Sequence, residues 1–342
     1  MMLGVPANSR RCLRVGGANV TASGIGLGAV GLLEALRLIG HSLAHTSSPS
    51  ERVRRTVALL SRRGFALGPG RLGSVCLGGA VSESDVRWAA AASPDLTLSH
   101  DLVLQSSDGL RAGDIRSRAA DHASDAPRYL AMTLRFVSTL VAFAPFIRSV
   151  SIAGSLASGG FRASDDVDLN LIVDDGHRHL AYVAVNVLGL LHAFRHRAKP
   201  VDDLTRRPIA PRLMTANLIL ERSQCHPLAR QDEDMAFELL MSQPVFGVDV
   251  LEEVVKANPA LLDHFPQLGY GSRAALVDSS THSRVPAWLF PASLDGAARR
   301  LGSAAWRYMQ WTRRNKPDAL ARVAYVRATM RPYTLFDEPD AS

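Results

Sequence analysis

With 342 residues, 47% of them apolar, the chain has material for a sizeable buried core and roughly two domains, which argues against a disordered or low-complexity protein. Its three cysteines, Cys12, Cys76 and Cys225, lie far apart with no CxxC pair, so neither a disulfide framework nor a cysteine zinc site is indicated and a reducing cytoplasm fits. The net charge of +7 favours anionic partners, but lysine occurs only at Lys199, Lys256 and Lys316, and an arginine bias of that kind arises from GC-rich coding alone, so the overall charge singles out no function.

Near the start, Ser9-Arg10-Arg11-Cys12-Leu13 precedes an apolar stretch from Ile25 to Leu38 that contains Glu34 and Arg37. Those charges make it an amphipathic helix rather than an export signal or a bilayer-spanning segment, so no membrane association is expected. Ser48, Pro49 and Glu51 form a helix start, and the helix runs to Arg63 with Val53, Val57, Leu59 and Leu60 on its apolar side and Gly64 as its stop. "FALGPGRLGSVCLGG" then reads as two short strands around a Pro-Gly turn. Helices followed by such a hairpin give a winged-helix-like N-terminal region, placed at residues 1–118, with weak periodicity from Ser82 to Arg118. A long helix is predicted over Ala126 to Phe143, stopped by Pro145.

Beyond Pro145 the period changes from helix to strand. "FIRSVSIAGS" is a strand ending in a Gly-Ser turn, "LASGGF" one helical turn, and Val167 to Val173 a second strand. A helix from His177 to about Arg195, a basic loop holding Arg197, Lys199, Arg206, Arg207 and Arg212, and a third strand from Leu213 to Leu220 complete a core at 119–225. Helices at Asp232–Met241, Val250–Ala257 and Asp295–Arg314 make up a C-terminal region, 226–342.

Within that core, strand alternation places Asp166 and Asp168 on one face and Val167 and Leu169 on the other. Two carboxylates side by side are unfavourable unless a proton or cation intervenes, and oxygen-only ligation by one or two carboxylates suits magnesium bound together with a phosphate-bearing substrate. Just upstream, with ten residues between Ser155 and Asp166, Gly154 permits close backbone approach, while the amides of Ser155 and Leu156 and the Ser155 hydroxyl open a helical turn suited to an anion. Asp165 is read as a turn residue on the opposite face, and Asp174 and Asp175 as strand-ending turn residues.

"GSLASGGFRASDDVDLNLIV" resembles the signature of the nucleotidyltransferase superfamily with the DNA polymerase β-like fold: an apolar residue and Gly-Ser, about a dozen residues, then Asp-x-Asp alternating with apolar positions. The likeness covers residues 145 to 222, and its flanks are similar to bacterial stand-alone nucleotidyltransferase proteins. It implies an α+β fold, a small mixed-sheet core flanked by the N-terminal region and the C-terminal helices. Gly154 and Ser155 would hold the β- and γ-phosphates of a nucleoside triphosphate, and Asp166 and Asp168 would bind two magnesium ions. The implied reaction moves a nucleoside monophosphate, AMP from ATP, onto a hydroxyl of a small-molecule or protein acceptor with release of pyrophosphate; a nucleic-acid acceptor is less favoured because no template-binding module is recognisable.

Ser158 stands where many members carry arginine, and Arg162 is a basic group later in the same loop that could reach the phosphates. The family draws a third carboxylate from a neighbouring strand; here Thr215, Asn217 and Ile219 are expected on one strand face, and Asn217, Glu221 and Glu238 remain open as the third ligand. The competing reading is a regulatory protein that binds nucleotide or DNA through the winged-helix-like region.

Three further groups suit ordinary structural roles. His192 and His196 lie four apart on a basic helix end with no third ligand near in sequence, and His177 and His179 are expected at the surface. Trp306, Tyr308 and Trp311 among Arg299, Arg300, Arg307, Arg313 and Arg314 could stack bases, but their helical spacing fits packed core with a charged outer side.

Overall fold

The computed structural model describes residues 14–15, 18–19, 47–109, 111–196, 213–269, 275–277, 283–313 and 317. The helix expected over residues 25–38 and the basic-loop residues Arg197, Lys199, Arg206, Arg207 and Arg212 lie outside them. The chain divides into two compact units, Met1–Thr46 and Ser47–Ser342. In the first, β1 (Arg14–Val15) pairs antiparallel with β2 (Ala18–Asn19).

The second unit begins with α1 (Pro49–Arg62), whose Ser48 hydroxyl accepts the Glu51 N–H, as the capping sequence requires. The stretch read as two strands around Pro-Gly is instead a helix, α2 (Pro69–Ser74), with Leu67 contributing a single bridge to Val103. Pro69 at the first helical position leaves no N–H wasted, and Leu72 is drawn into the core, so the pair starts a helix rather than turning a hairpin. Next come α3 (Glu83–Ala92) and a hairpin of β3 (Leu96–Ser99) and β4 (Leu102–Gln105), resolving the weakly periodic stretch.

Helix α4 runs over Arg111–Phe143, fifteen residues longer at its start than the apolar pattern indicated, and continues through Pro127. Its polar first half carries no hydrophobic stripe because its partners are charged: Arg118 meets Asp165, while Asp114 and Asp121 meet Arg162. Then follow β5 (Ile147–Ala153), α5 (Gly154–Ser158), β6 (Val167–Val173), α6 (Arg178–Phe194), β7 (Met214–Glu221), α7 (Glu233–Met241), β8 (Gln243–Phe246), α8 (Val248–Ala257), α9 (Ala260–His264) and α10 (Asp295–Arg313). Strand β8 was not anticipated because Pro244 reads as a break; it is tolerated at a sheet edge, where no ladder N–H is lost.

The architecture is α+β, built on a four-stranded mixed sheet in the order β7-β6-β5-β8, parallel only between β6 and β7. Val167, Leu169, Leu171 and Val173 of β6 enter a core shared with α4 and α6, whereas Ile172, with Leu218 and Leu220 of β7, joins a second core with α1, α7 and α9. A β-bulge sets this pattern on β7: Leu169 pairs with Ala216 but Asn170 with Leu218. The extra residue, Asn217, reverses the alternation beyond it, so Thr215 and Asn217 share one face while Ile219 packs on the other, contrary to the simple period-two expectation. No described helix is long and apolar enough to cross a membrane.

The expected surface role of His179 is overturned. It is buried, its Nδ1 lies 2.6 Å from Asp295 Oδ2, and Asp295 Oδ1 accepts the His179 and Leu180 N–H groups at 2.8 Å, so the first residue of α10 caps α6 from outside. Burial alone would raise the Asp295 pKa; the His179 hydrogen bond and the two backbone donors outweigh it and hold the carboxyl below its usual range. A depressed acid adds stability above its unfolded value of about 3.9, lost as pH falls through the lower folded value. Exchange of α10 amides is therefore expected to accelerate below about pH 4 in the wild type, and already at pH 7 in Asp295→Ala.

Candidate active site

The two strands predicted around the Gly-Ser turn form as an antiparallel pair, with Ala153 at the end of β5 opposite Asp168 near the start of β6. Gly154 opens α5 at φ +61, and an ideal Cβ there would stand 2.2 Å from Asp168 Oδ2 and 3.1 Å from Asp168 Cβ. Only glycine permits this contact, for both the backbone angle and the space. Ser155 and Ser158 follow within one turn and are buried. Asp166 lies one residue before β6, and both aspartates are half-buried between the fully buried Val167 and Leu169 side of the strand and solvent.

On β7 the residue paired with Asp168 is Thr215, whose hydroxyl donates to Asp168 Oδ1 at 2.8 Å. Asn217 lies deeper. Its amide nitrogen donates to Asn170 Oδ1 at 3.0 Å and to Glu238 Oε1 at 3.2 Å, and the Asn170 amide donates to the same Glu238 oxygen at 3.2 Å. Glu238 Oε2 is 3.4 Å from the Arg63 guanidinium, which lies over the Phe237 ring and also meets Asp234. This clasp explains why position 217 holds an amide where an acid was sought: the residue must donate to a buried carboxylate. Glu221 sits at the far end of β7, opposite Val173, and accepts the Gly176 N–H. Asn217, Glu221 and Glu238 are thus each committed to structural hydrogen bonds.

Asn217→Asp is expected to remove two donors and set a second carboxylate beside Glu238 in a site only 5–8% exposed. The cost is about 2–4 kcal/mol by denaturant unfolding. Adding Glu238→Gln, which supplies a donor and removes the charge, should recover most of it.

The other candidates are dispersed. Arg162 donates to Asp121 at 2.8 Å and Asp114 at 2.7 Å, and its own N–H to Asp165, so it ties the loop before β6 to α4. Asp165 is a turn residue as expected, paired with Arg118. Asp174 pairs with Arg148, and Asp175 accepts the Ser223 N–H. His192 packs edge-on to Phe136, its ring 4.9 Å from that of His196; burial first, then neighbouring cations, lowers both pKa values. Cys225 is buried, which pushes its thiol up to about 12 and makes it inert. A separate groove of about 320 Å³ between α1 and β4 is lined by Arg54 and Arg55, engaged by Glu51 and Asp95 and by Glu233.

Among the described residues no cluster of three or more His, Cys, Asp or Glu is gathered to hold a metal. The donor beside Gly154 is the Asp168 carboxylate, and Asp166 lies two residues before it, just outside β6. That set suits a hard cation which completes its shell with water and phosphate oxygens, rather than an ion caged by protein. The Arg162 pairs, the Thr215 hydrogen bond and the Glu238 clasp were not readable from spacing, because their partners lie on elements distant in sequence. No family model, curated protein or solved structure matches the chain.

Proposed function

We propose that the protein is a magnesium-dependent nucleotidyltransferase, with the nucleotide bound across the junction of β5, α5 and β6. The observation that carries this reading is the contact between Gly154 and Asp168. A glycine-serine turn could occur anywhere; held directly against Asp168 of an Asp-x-Asp pair, it supports a reading in which anion-binding amides and a cation-binding carboxylate act together.

The amides of the α5 turn and the Ser155 hydroxyl bind the terminal phosphates of the triphosphate, and Asp166 and Asp168 hold magnesium. When bound, the metal neutralises the phosphates and lowers the acceptor's pKa. Thr215 orients the Asp168 carboxylate by its hydrogen bond. The acceptor oxygen forms a bond to the α-phosphorus as the bond to the bridging oxygen breaks, the electron pair and the charge leave with pyrophosphate, and the acceptor proton passes to solvent. The chain's task is alignment of a reaction whose charges are met by fixed groups. AMP is the expected group and a hydroxyl of a small molecule or protein the expected acceptor.

The order of α1, the Leu67 bridge, α2, α3 and the β3–β4 hairpin supports the winged-helix-like reading of this region. In that comparison α3 takes the place of a recognition helix, yet its exposed side offers Glu83 and Asp85, and its Arg87 is paired with both Glu83 and Asp101. An acidic helix opposes a phosphate backbone, so we read this region as a packing module and DNA binding as the weaker alternative. Incubation with each labelled nucleoside triphosphate, magnesium and candidate acceptors tests the enzyme directly. Magnesium-dependent triphosphate binding and pyrophosphate release are expected; absence of both with every triphosphate rejects it.

A further inference from the structure

Helix α10 was expected to bury its aromatics, and it does not. Trp306 is half-buried against the core shared by α4 and α6, but Tyr308 and Trp311 are 65% and 54% exposed. They end a regular series. Leu294, in the turn before α10, then Ala297, Leu301, Ala304, Tyr308 and Trp311 follow one another at alternating intervals of three and four residues, and every one is exposed. This is a seven-residue repeat with both apolar positions filled, the narrow seam of a coiled coil, on a 19-residue helix about 28 Å long. The Tyr308 and Trp311 rings lie within 6.1 Å of each other at its end. The side of α10 adjoining the seam at Ala298, with Ala298 and Gly302 buried, packs on α6.

The charges beside the seam have one sign. The residue before each of Leu301 and Tyr308 is an exposed arginine, Arg300 and Arg307, while the other shoulder carries Ala298 and Ala305. The only acid of α10, Asp295, caps α6. We propose that α10 is a docking helix for an amphipathic helix of a partner protein, whose apolar seven-residue repeat is flanked by glutamate or aspartate. In coiled coils the flanking residues choose the partner, and a basic shoulder selects an acidic one.

Other occupants fit less well. Two copies packed antiparallel would bring the Arg300 and Arg307 shoulders together, and packed parallel would set them against alanine. A lipid surface calls for a wider apolar face than this seam, and single-stranded nucleic acid gains nothing from the leucine and alanine positions. The inference stands independently of the nucleotidyltransferase reading and uses none of its residues.

The test uses the full chain and two synthetic helical peptides with leucine or isoleucine at the seam positions, one with glutamate and one with lysine at the flanks. By fluorescence anisotropy at low salt, the glutamate peptide is expected to bind about tenfold or more tightly than the lysine peptide, a preference that weakens with salt. Arg300→Glu with Arg307→Glu should reverse that order, and Leu301→Asp should lose both peptides, with circular dichroism unchanged because all three positions are exposed. Equal affinities, or a preference that survives the charge reversal, overturn the proposal. So does sedimentation showing a wild-type dimer that Leu301→Asp makes monomeric. Stronger peptide binding after deletion of residues 318–342 would assign the seam to the chain's own tail, and displacement of the peptide by anionic vesicles or an oligonucleotide would assign it to those; each result also overturns the proposal.

Discussion

Asp168→Asn is expected to lower magnesium-dependent pyrophosphate release by about 10³-fold, or about 4 kcal/mol of barrier, while the chain stays folded. The substitution keeps the shape of the side chain, and Thr215 can donate to an amide oxygen as it does to Asp168 Oδ1. What is lost is one negative charge at the point where the cation would be held. Melting temperature within a few degrees of wild type, with a collapse of turnover, is the expected pair of measurements. A second readout comes from linkage: magnesium with triphosphate should raise the melting temperature of the wild type and leave that of Asp168→Asn unmoved. If the variant turns over as the wild type does, Asp168 has no part in catalysis and the reading of the site fails.

Gly154→Ala is the second large effect, and its cause is steric rather than electrostatic. An alanine at φ +61 carries a backbone penalty of about 1–2 kcal/mol before any contact is counted. Its Cβ would also stand 2.2 Å from Asp168 Oδ2 and 3.1 Å from Asp168 Cβ, so either the carboxylate rotates away or the turn moves. Both routes separate the anion-binding amides from the cation-binding acid. A loss of turnover as steep as that of Asp168→Asn is expected, accompanied by a fall of about 2 kcal/mol in stability, measured by denaturant unfolding alongside pyrophosphate release. Full activity in Gly154→Ala would mean that the close approach of turn and carboxylate is incidental.

The three variants separate site from scaffold. Asn217→Asp should act on stability through the Glu238 clasp, Asp168→Asn on turnover through charge, and Gly154→Ala on both, because glycine is where the fold and the site share an atom-scale constraint. The clasp also joins regions far apart in sequence: Arg63 at the end of α1, Glu238 on α7, and Asn170 and Asn217 on adjacent strands. Replacing one member leaves buried polar groups unpaired, which is why its effect should exceed that of the exposed Arg54–Glu51 pair.

The amino-acid sequence alone determined what depends on near neighbours in the chain. Ser48 with Pro49 started α1, Asp232 capped α7, and the period-two run after Asp166 made β6 with Val167, Leu169, Leu171 and Val173 on one side. The Gly-Ser turn and the aspartate pair were likewise legible, since both lie within one hairpin. Tertiary structure decided the rest. Whether Pro69 turns a hairpin or begins a helix depended on a core waiting for Leu72, and the polar start of α4 depended on the charges of the loop before β6. The bulge at Asn217, the burial of His179 and the exposed seam of α10 are equally set by partners distant in sequence, because period and propensity report which face a residue takes and not what lies opposite it.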